Sequence, residues 1–257
     1  MDKQIPLAKP FPVRYEWIDV AKALGIWLIY IGHITNVIPI VWRFHVPLFF
    51  FLSGCTEALQ KERRFIPYFL NKCKRLLLPW LIFNILSLVI HILLTGCGIR
   101  EVMVYGYQIL KGTTRNTGVA GALWFFTCLF VIQNLFFFIQ KLRYRPLMLA
   151  VATLICFVAG LYFDHNQPFA PYNVDSALHY IFYYAAGFAA FPLLRRVLSS
   201  NKGKLLFVSV GLLAWAYTGL YYLGFDPLAN LYGIVHLGRL LSLVSAVIMI
   251  YATITLA

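Results

Sequence analysis

Eight stretches of this chain are candidates to cross a lipid bilayer, and that pattern restricts the fold to a polytopic bundle of transmembrane helices, an all-α class. A bilayer core about 30 Å thick takes about 20 apolar residues of α-helix, and its dryness forces each backbone N–H and C=O to pair within the protein. The stretches run Ile18–Ile40, His45–Leu59, Leu76–Thr95, Gly121–Gln140, Pro146–Phe163, Ser176–Leu194, Leu205–Leu223 and Leu231–Leu256. The second is short, so it is tilted or continued by the amphipathic residues behind it. Composition agrees: 61% of residues are hydrophobic and 12% charged, against roughly 45–50% and about 25% in soluble domains. The first 16 residues carry Lys3, Lys9 and Arg14 but neither an apolar core nor a small-residue cleavage site, so no secretory signal peptide is expected. The chain stops at Ala257 inside an apolar run. Either the eighth span abuts the terminus or the chain is a fragment. A single membrane-embedded domain over 1–257 is expected.

The positions of the charges carry more than their sum. A net charge of +13 would suggest nucleic acid in a soluble protein; here it argues topology, and no nucleic-acid partner is expected. With the N-terminus in the cytoplasm, the cytoplasmic segments collect most Lys and Arg. These include Lys61, Arg63, Arg64, Lys72, Lys74 and Arg75, and later Lys141, Arg143 and Arg145. The outside segments hold Arg43, Arg100, Lys111 and Arg115. This is the positive-inside pattern. The connector Lys61–Arg75 has two readings, a segment facing anionic lipid or a site for a phosphorylated cytoplasmic ligand. Outside, Gly96–Ala120 has room for a short amphipathic helix around Val102–Lys111. The five cysteines are scattered and read as small core residues. No Cys, His and carboxylate set has ligand spacing along the chain, so no metal is expected.

Asp19–Gly54 places ionisable groups in sequence greasy enough to cross a membrane, where they are costly and mark function by default. Lys22 and His33 are eleven residues apart, so on a helix they share nearly one face, roughly 16 Å apart along the axis. Asp19 lies three residues before Lys22, close enough to pair with it. His33 has three readings: a hydrogen-bonded structural histidine, a general base, or a proton relay. His45, before Pro47, is either a helix-start residue or functional. Ser53–Gly54 is a close-packing site or lines a substrate path; Ser53 lacks the G-x-S-x-G elbow of a nucleophile. Trp124 is an interfacial belt residue or shapes a site. Within the eighth span, His236 and Arg239 form a structural pair or face a central cavity. Glu57 and Asp175 are expected at span ends, in contact with water or headgroups.

Taken in order, these residues resemble the membrane-bound acyltransferase 3 family, especially members similar to fucose 4-O-acetylases and polysaccharide O-acetyltransferases. D-x-x-K…G-H covers Asp19, Lys22 and His33; H-V-P-L-F-F-F-L-S-G runs from His45 to Gly54 and contains Phe50 and Ser53. K-C-K-R-L-L-L-P-W supplies Lys72 and Arg75, and G-A-L-W-F supplies Trp124. These motifs fall in the first half of the chain, and the rest matches as a series of spans. The resemblance implies transfer of an acyl group, usually acetyl from cytoplasmic acetyl-CoA, to a glycan hydroxyl at the outer face of a bacterial inner membrane. It implies that His33 is catalytic and that Lys22, Lys72 and Arg75 belong to the donor side; His45 is added as a second catalytic candidate and Arg64 as a further donor-binding one. Asp19, Ser53 and Trp124 are the candidates for the acyl and acceptor pocket. Acetyl-CoA enters as a co-substrate, no cofactor is expected to stay bound, and the partners are acyl-CoA, a glycan or lipid-linked sugar, and membrane lipids. Family members usually have more than eight spans, which leaves a C-terminally truncated member open. The competing classes are a transporter or flippase for a lipid-linked sugar, which would favour paired interrupted helices in matching halves, and a non-catalytic assembly factor.

Overall fold

The computed structural model describes residues 14–34, 41–60, 64–114, 119–142, 145–163, 170–222, 246–251 and 253–255. Among them the regular structure is helical throughout. The helices are α1 (Glu16–Ile34), α2 (Val41–Glu57), α3 (Phe65–Lys72), α4 (Leu78–Thr95), α5 (Ile99–Lys111), α6 (Trp124–Ile139), α7 (Arg145–Gly160), α8 (Val174–Leu198) and α9 (Asn201–Tyr222). A short apolar helix follows at Ala246–Thr255. Among the described residues three helical segments are long and apolar enough to cross a membrane: Phe65–Thr95, Gly121–Ile139 and Pro171–Leu198. Most of the expected eighth span, with His236 and Arg239, lies outside the described residues, as do Lys61, Arg63 and the turn around Pro39.

The segment Lys61–Arg75, expected as a connector, is helical from Phe65 onward. α3, a π-helical turn at Cys73–Leu77 and α4 run on as one rod of 31 residues. At 1.5 Å per residue that is roughly 46 Å, well beyond the hydrocarbon core. The sequence explains the extension: Tyr68 and Lys72, four apart, are buried on one face of α3 while Ile66 and Leu70 lie on the exposed side. The amphipathic helix expected around Val102–Lys111 is α5, with Tyr105 and Ile109 buried. Those two side chains meet Trp80 of α4, so α5 folds back along the upper part of the rod.

The chain divides into two compact units. One comprises Met1–Trp42 with Val208–Ala257, the other Arg43–Phe207. Within the second, α8 packs along α7 and α6, and α6 packs along α3 and the π turn. Helices α2 and α8 approach each other closely. A Cβ on Gly54 would stand 1.9 Å from the Tyr184 carbonyl oxygen, and one on Gly187 would stand 1.9 Å from that of Phe51. Cys55 Sγ adds a contact to the Gly187 carbonyl at 3.4 Å. The close-packing reading of Ser53–Gly54 therefore holds for Gly54: two backbones touch because neither residue brings a side chain. In the first unit α1 buries Ile18, Ala21, Gly25 and Gly32 and exposes Ile26, Trp27 and Tyr30.

Candidate functional site

Where α2 ends and α3 ends, four polar side chains meet in an otherwise apolar bundle. Glu57 and Lys72 have side-chain exposures of only 6% and 7%, and Lys72 Nζ stands 3.4 Å from Glu57 Oε2. The same oxygen accepts from Gln60 Nε2 at 3.0 Å and from the Tyr184 hydroxyl at 3.0 Å. The ammonium also sits 4.7 Å from the centre of the Tyr68 ring, whose hydroxyl donates to the Gln133 carbonyl at 3.1 Å. A buried carboxylate is tolerable only when paired and hydrogen-bonded, and here one oxygen takes three donors. Glu57 was expected at water or headgroups; it is buried instead, because α3 continues the rod and brings Lys72 back over the end of α2. Asp175 is likewise not exposed. It is 1% accessible and sits in the first turn of α8, its two oxygens accepting from the Ser176 N–H at 2.8 Å and the Ala170 N–H at 3.4 Å.

Beside this network stand exposed cations. Arg64 lies at the N-cap of α3, and Lys74 and Arg75 project from the π turn directly after Lys72. One basic segment thus presents two kinds of cation, one held inside by a carboxylate and three open to phosphate-sized anions. Single π turns within α-helices occur frequently at functional sites. Of the residues that the sequence singles out, Lys72 stands directly before this one and Arg75 lies within it.

The other candidates of the second unit lie on α2 and at the start of α6. His45 is buried, and Phe50, five residues on, is roughly 8 Å farther along the axis. Phe50 stacks on Tyr180 with ring centres 4.9 Å apart and packs on Phe125, also at 4.9 Å. Trp124 joins this stack, 5.6 Å from Tyr180. It is 7% exposed, so the belt reading does not hold: the 3₁₀ turn Gly121–Leu123 delivers it inward. Ser53 is half-buried, and its carbonyl accepts from Thr56 Oγ1 at 2.8 Å.

Asp19, Lys22 and His33 belong to the first unit and share α1. Helix α1 covers both Lys22 and His33, with Lys22 half-buried; the His33 side chain lies outside what is described. Asp19 was expected to pair with Lys22. Its carboxylate instead accepts from Arg14 Nε at 2.5 Å, because Arg14 precedes the helix and its long arm folds back over the first turn. That exposed contact, chiefly its hydrogen bond, raises the Arg14 guanidinium above its ordinary value.

Sequence reasoning missed Glu57 as the partner of Lys72, Gln60 and Tyr184 as further partners of that carboxylate, and Tyr180 as the partner of Trp124. Their separations, up to 127 residues between Glu57 and Tyr184, leave no local pattern to read. It also missed a cluster. His91, Cys97 and Glu101 have no ligand spacing along the chain, yet the turn between α4 and α5 gathers them, with one ligand atom from each within 4.8 Å of the others.

Residues 15–257 match the profile of an acyltransferase domain family, acyltransferase 3. No characterised protein and no solved structure matches the chain.

Proposed function

The chain belongs to the acyltransferase 3 family, and from that premise we propose that it is an integral membrane O-acyltransferase, moving an acetyl or similar acyl group from cytoplasmic acyl-CoA to a hydroxyl of a sugar or cell-surface glycan. The observation that carries the donor side is the basic segment at the start of the long rod, where Arg64, Lys74 and Arg75 are exposed and Lys72 is buried. Guanidinium forks and ammonium points suit the phosphates of coenzyme A. In this reading Lys72, fixed by Glu57, sets the shape of the mouth, while Arg64 and Arg75 touch phosphate and Lys22 lines the route of the thioester.

His33 then takes the proton from the acceptor hydroxyl as that oxygen attacks the thioester carbonyl. The tetrahedral intermediate collapses, the carbon–sulfur bond breaks, and the thiolate of coenzyme A leaves and takes up the proton. General-base assistance of this kind is typically worth about 10²–10⁴-fold. Ser53, Trp124 or a backbone amide supplies a donor to the oxyanion; Asp19 is a further candidate for the acyl and acceptor side, and His45 the second catalytic candidate. The reading places the chain in a bacterial inner membrane with eight spans and a cytoplasmic N-terminus.

The test is to incubate purified protein with labelled acetyl-CoA and a bacterial surface glycan. Release of coenzyme A with label on the glycan is expected, and His33→Ala lowers that rate by about 10²–10⁴-fold while His33→Gln, which keeps a polar side chain, fails to restore it. Glycan movement without acyl-CoA turnover would replace the enzyme reading with a transporter. A wild-type rate in His33→Ala would remove the general base.

A further inference from the structure

Helix α4 stops at Thr95 because Gly96 adopts φ 64°, a left-handed conformation that only glycine takes easily, and its N–H returns to the Ile92 carbonyl at 2.9 Å. Gly98, extended, then caps the start of α5. Cys97 sits between two glycines at the corner of a helical hairpin, and the reversal carries it and Glu101 over His91 of α4. His91 Nε2 and Glu101 Oε1 are 3.0 Å apart, and the Tyr105 ring flanks the imidazole with centres at 6.1 Å. One ligand atom from each of His91, Cys97 and Glu101 lies within 4.8 Å of the others.

We propose that His91, Cys97 and Glu101 form a binding site for a zinc-type divalent cation that clasps α4 to α5. The donor set is one imidazole nitrogen, one thiolate sulfur and one carboxylate oxygen, which suits a borderline-soft ion and not the hard all-oxygen demands of magnesium or calcium. Bond lengths of about 2.0–2.3 Å in a tetrahedral site put neighbouring ligand atoms roughly 3.3–3.6 Å apart. The observed spread, within 4.8 Å, exceeds that by roughly 1.2–1.5 Å at most, the distance that binding closes. On binding, the Cys97 thiol releases its proton to solvent as the sulfur–metal bond forms. His91 enters as a neutral imidazole and exchanges its contact with Glu101 for one through the ion. The thiolate and carboxylate together neutralise a divalent charge, so the loaded site is neutral apart from a water in the fourth position. A neutral clasp suits a hairpin whose neighbouring residues, Leu93, Leu94 and Ile99, are exposed and apolar. At the far end of the hairpin, the Trp80, Tyr105 and Ile109 cluster supplies the other hold.

The experiment uses the full chain, purified in detergent and stripped with a chelator, then titrated with Co²⁺. Expected are ligand-field bands and a thiolate-to-cobalt charge-transfer band saturating at one ion per chain, both displaced by Zn²⁺. Cys97→Ser removes the charge-transfer band, and His91→Gln and Glu101→Gln each weaken binding at least tenfold. Cys97→Ser keeps the His91–Glu101 contact, so its folding serves as the control for the other two variants. Zn²⁺ also slows maleimide labelling of Cys97, located by peptide mass spectrometry. Absence of the charge-transfer band, its persistence in Cys97→Ser, or labelling of Cys97 at the same rate with and without Zn²⁺ would each overturn the site.

Discussion

The rod Phe65–Thr95 and the span Gly121–Ile139 are both strongly apolar, yet the protein uses them differently. Only 11% of the rod's spanning window is buried in the protein, against 50% of the other's. α6 is an inner helix, with Ile132 and Phe136 fully enclosed and the Phe136 ring against Tyr184 and Phe188. α4 is apolar around most of its circumference and leaves Leu93 and Leu94 about four-fifths exposed, at 78% and 81%. Hydropathy reports that a helix wants to leave water. It does not report whether the helix meets protein or lipid, since the two are about equally apolar. The rod turns inward at its basic start, where Tyr68 and Lys72 are buried, and again at Trp80 and Asn84 of α4.

That contrast predicts a graded series of substitutions, each measured by thermal unfolding of the detergent-purified protein. The largest effect is expected where the rod is buried. Glu57→Ala leaves the Lys72 ammonium enclosed without its carboxylate and costs about 3–5 kcal/mol, whereas the pair Glu57→Leu with Lys72→Met recovers most of the loss. An unchanged midpoint in Glu57→Ala would mean that Lys72 reaches solvent and the network is incidental. Next comes Gly54→Ala, whose new methyl meets the Tyr184 carbonyl and costs about 1–3 kcal/mol. Gly106→Ala, with open space around it, supplies the opposite sign at about 0.5–1 kcal/mol of gain. Ile132→Val on α6 follows at about 0.5–1.5 kcal/mol. Leu94→Ala on α4 closes the series within about 0.5 kcal/mol. Equal losses at Ile132 and Leu94 would erase the distinction between the two helices.

The residues differ in how legible they were. α5, α6, α7 and α9 stand close to where apolar length and amphipathic spacing put them, because those signals are local. The Lys22, His33, His45 and Lys72 motifs were readable through order and spacing, and the family match over 15–257 agrees with the resemblance they carry. Lys61–Arg75 misled because its charges look like a loop, while its helical propensity and the Tyr68–Lys72 face decide for helix. Glu57 misled for a related reason. A carboxylate near a span end looks solvated until α3 brings it an ammonium and α8 a phenol, with the Gln60 amide beside it. Cys97 showed nothing on its own, since its neighbours His91 and Glu101 lie on opposite arms of a hairpin that glycines close.

The π turn Cys73–Leu77 has one more consequence. An α-helix advances about 100° per residue, and a π turn accommodates an extra residue without ending the helix. It therefore acts as a phase shift within the rod: the face that α3 turns toward α6 is not the face that α4 would present in an unbroken helix. Below the shift the rod follows the register of a buried ion pair; above it, the rod follows the register of the hairpin with α5. One inserted residue lets a single stretch of helix satisfy two neighbours that a uniform 3.6-residue repeat could not serve together. The basic segment stands at the join.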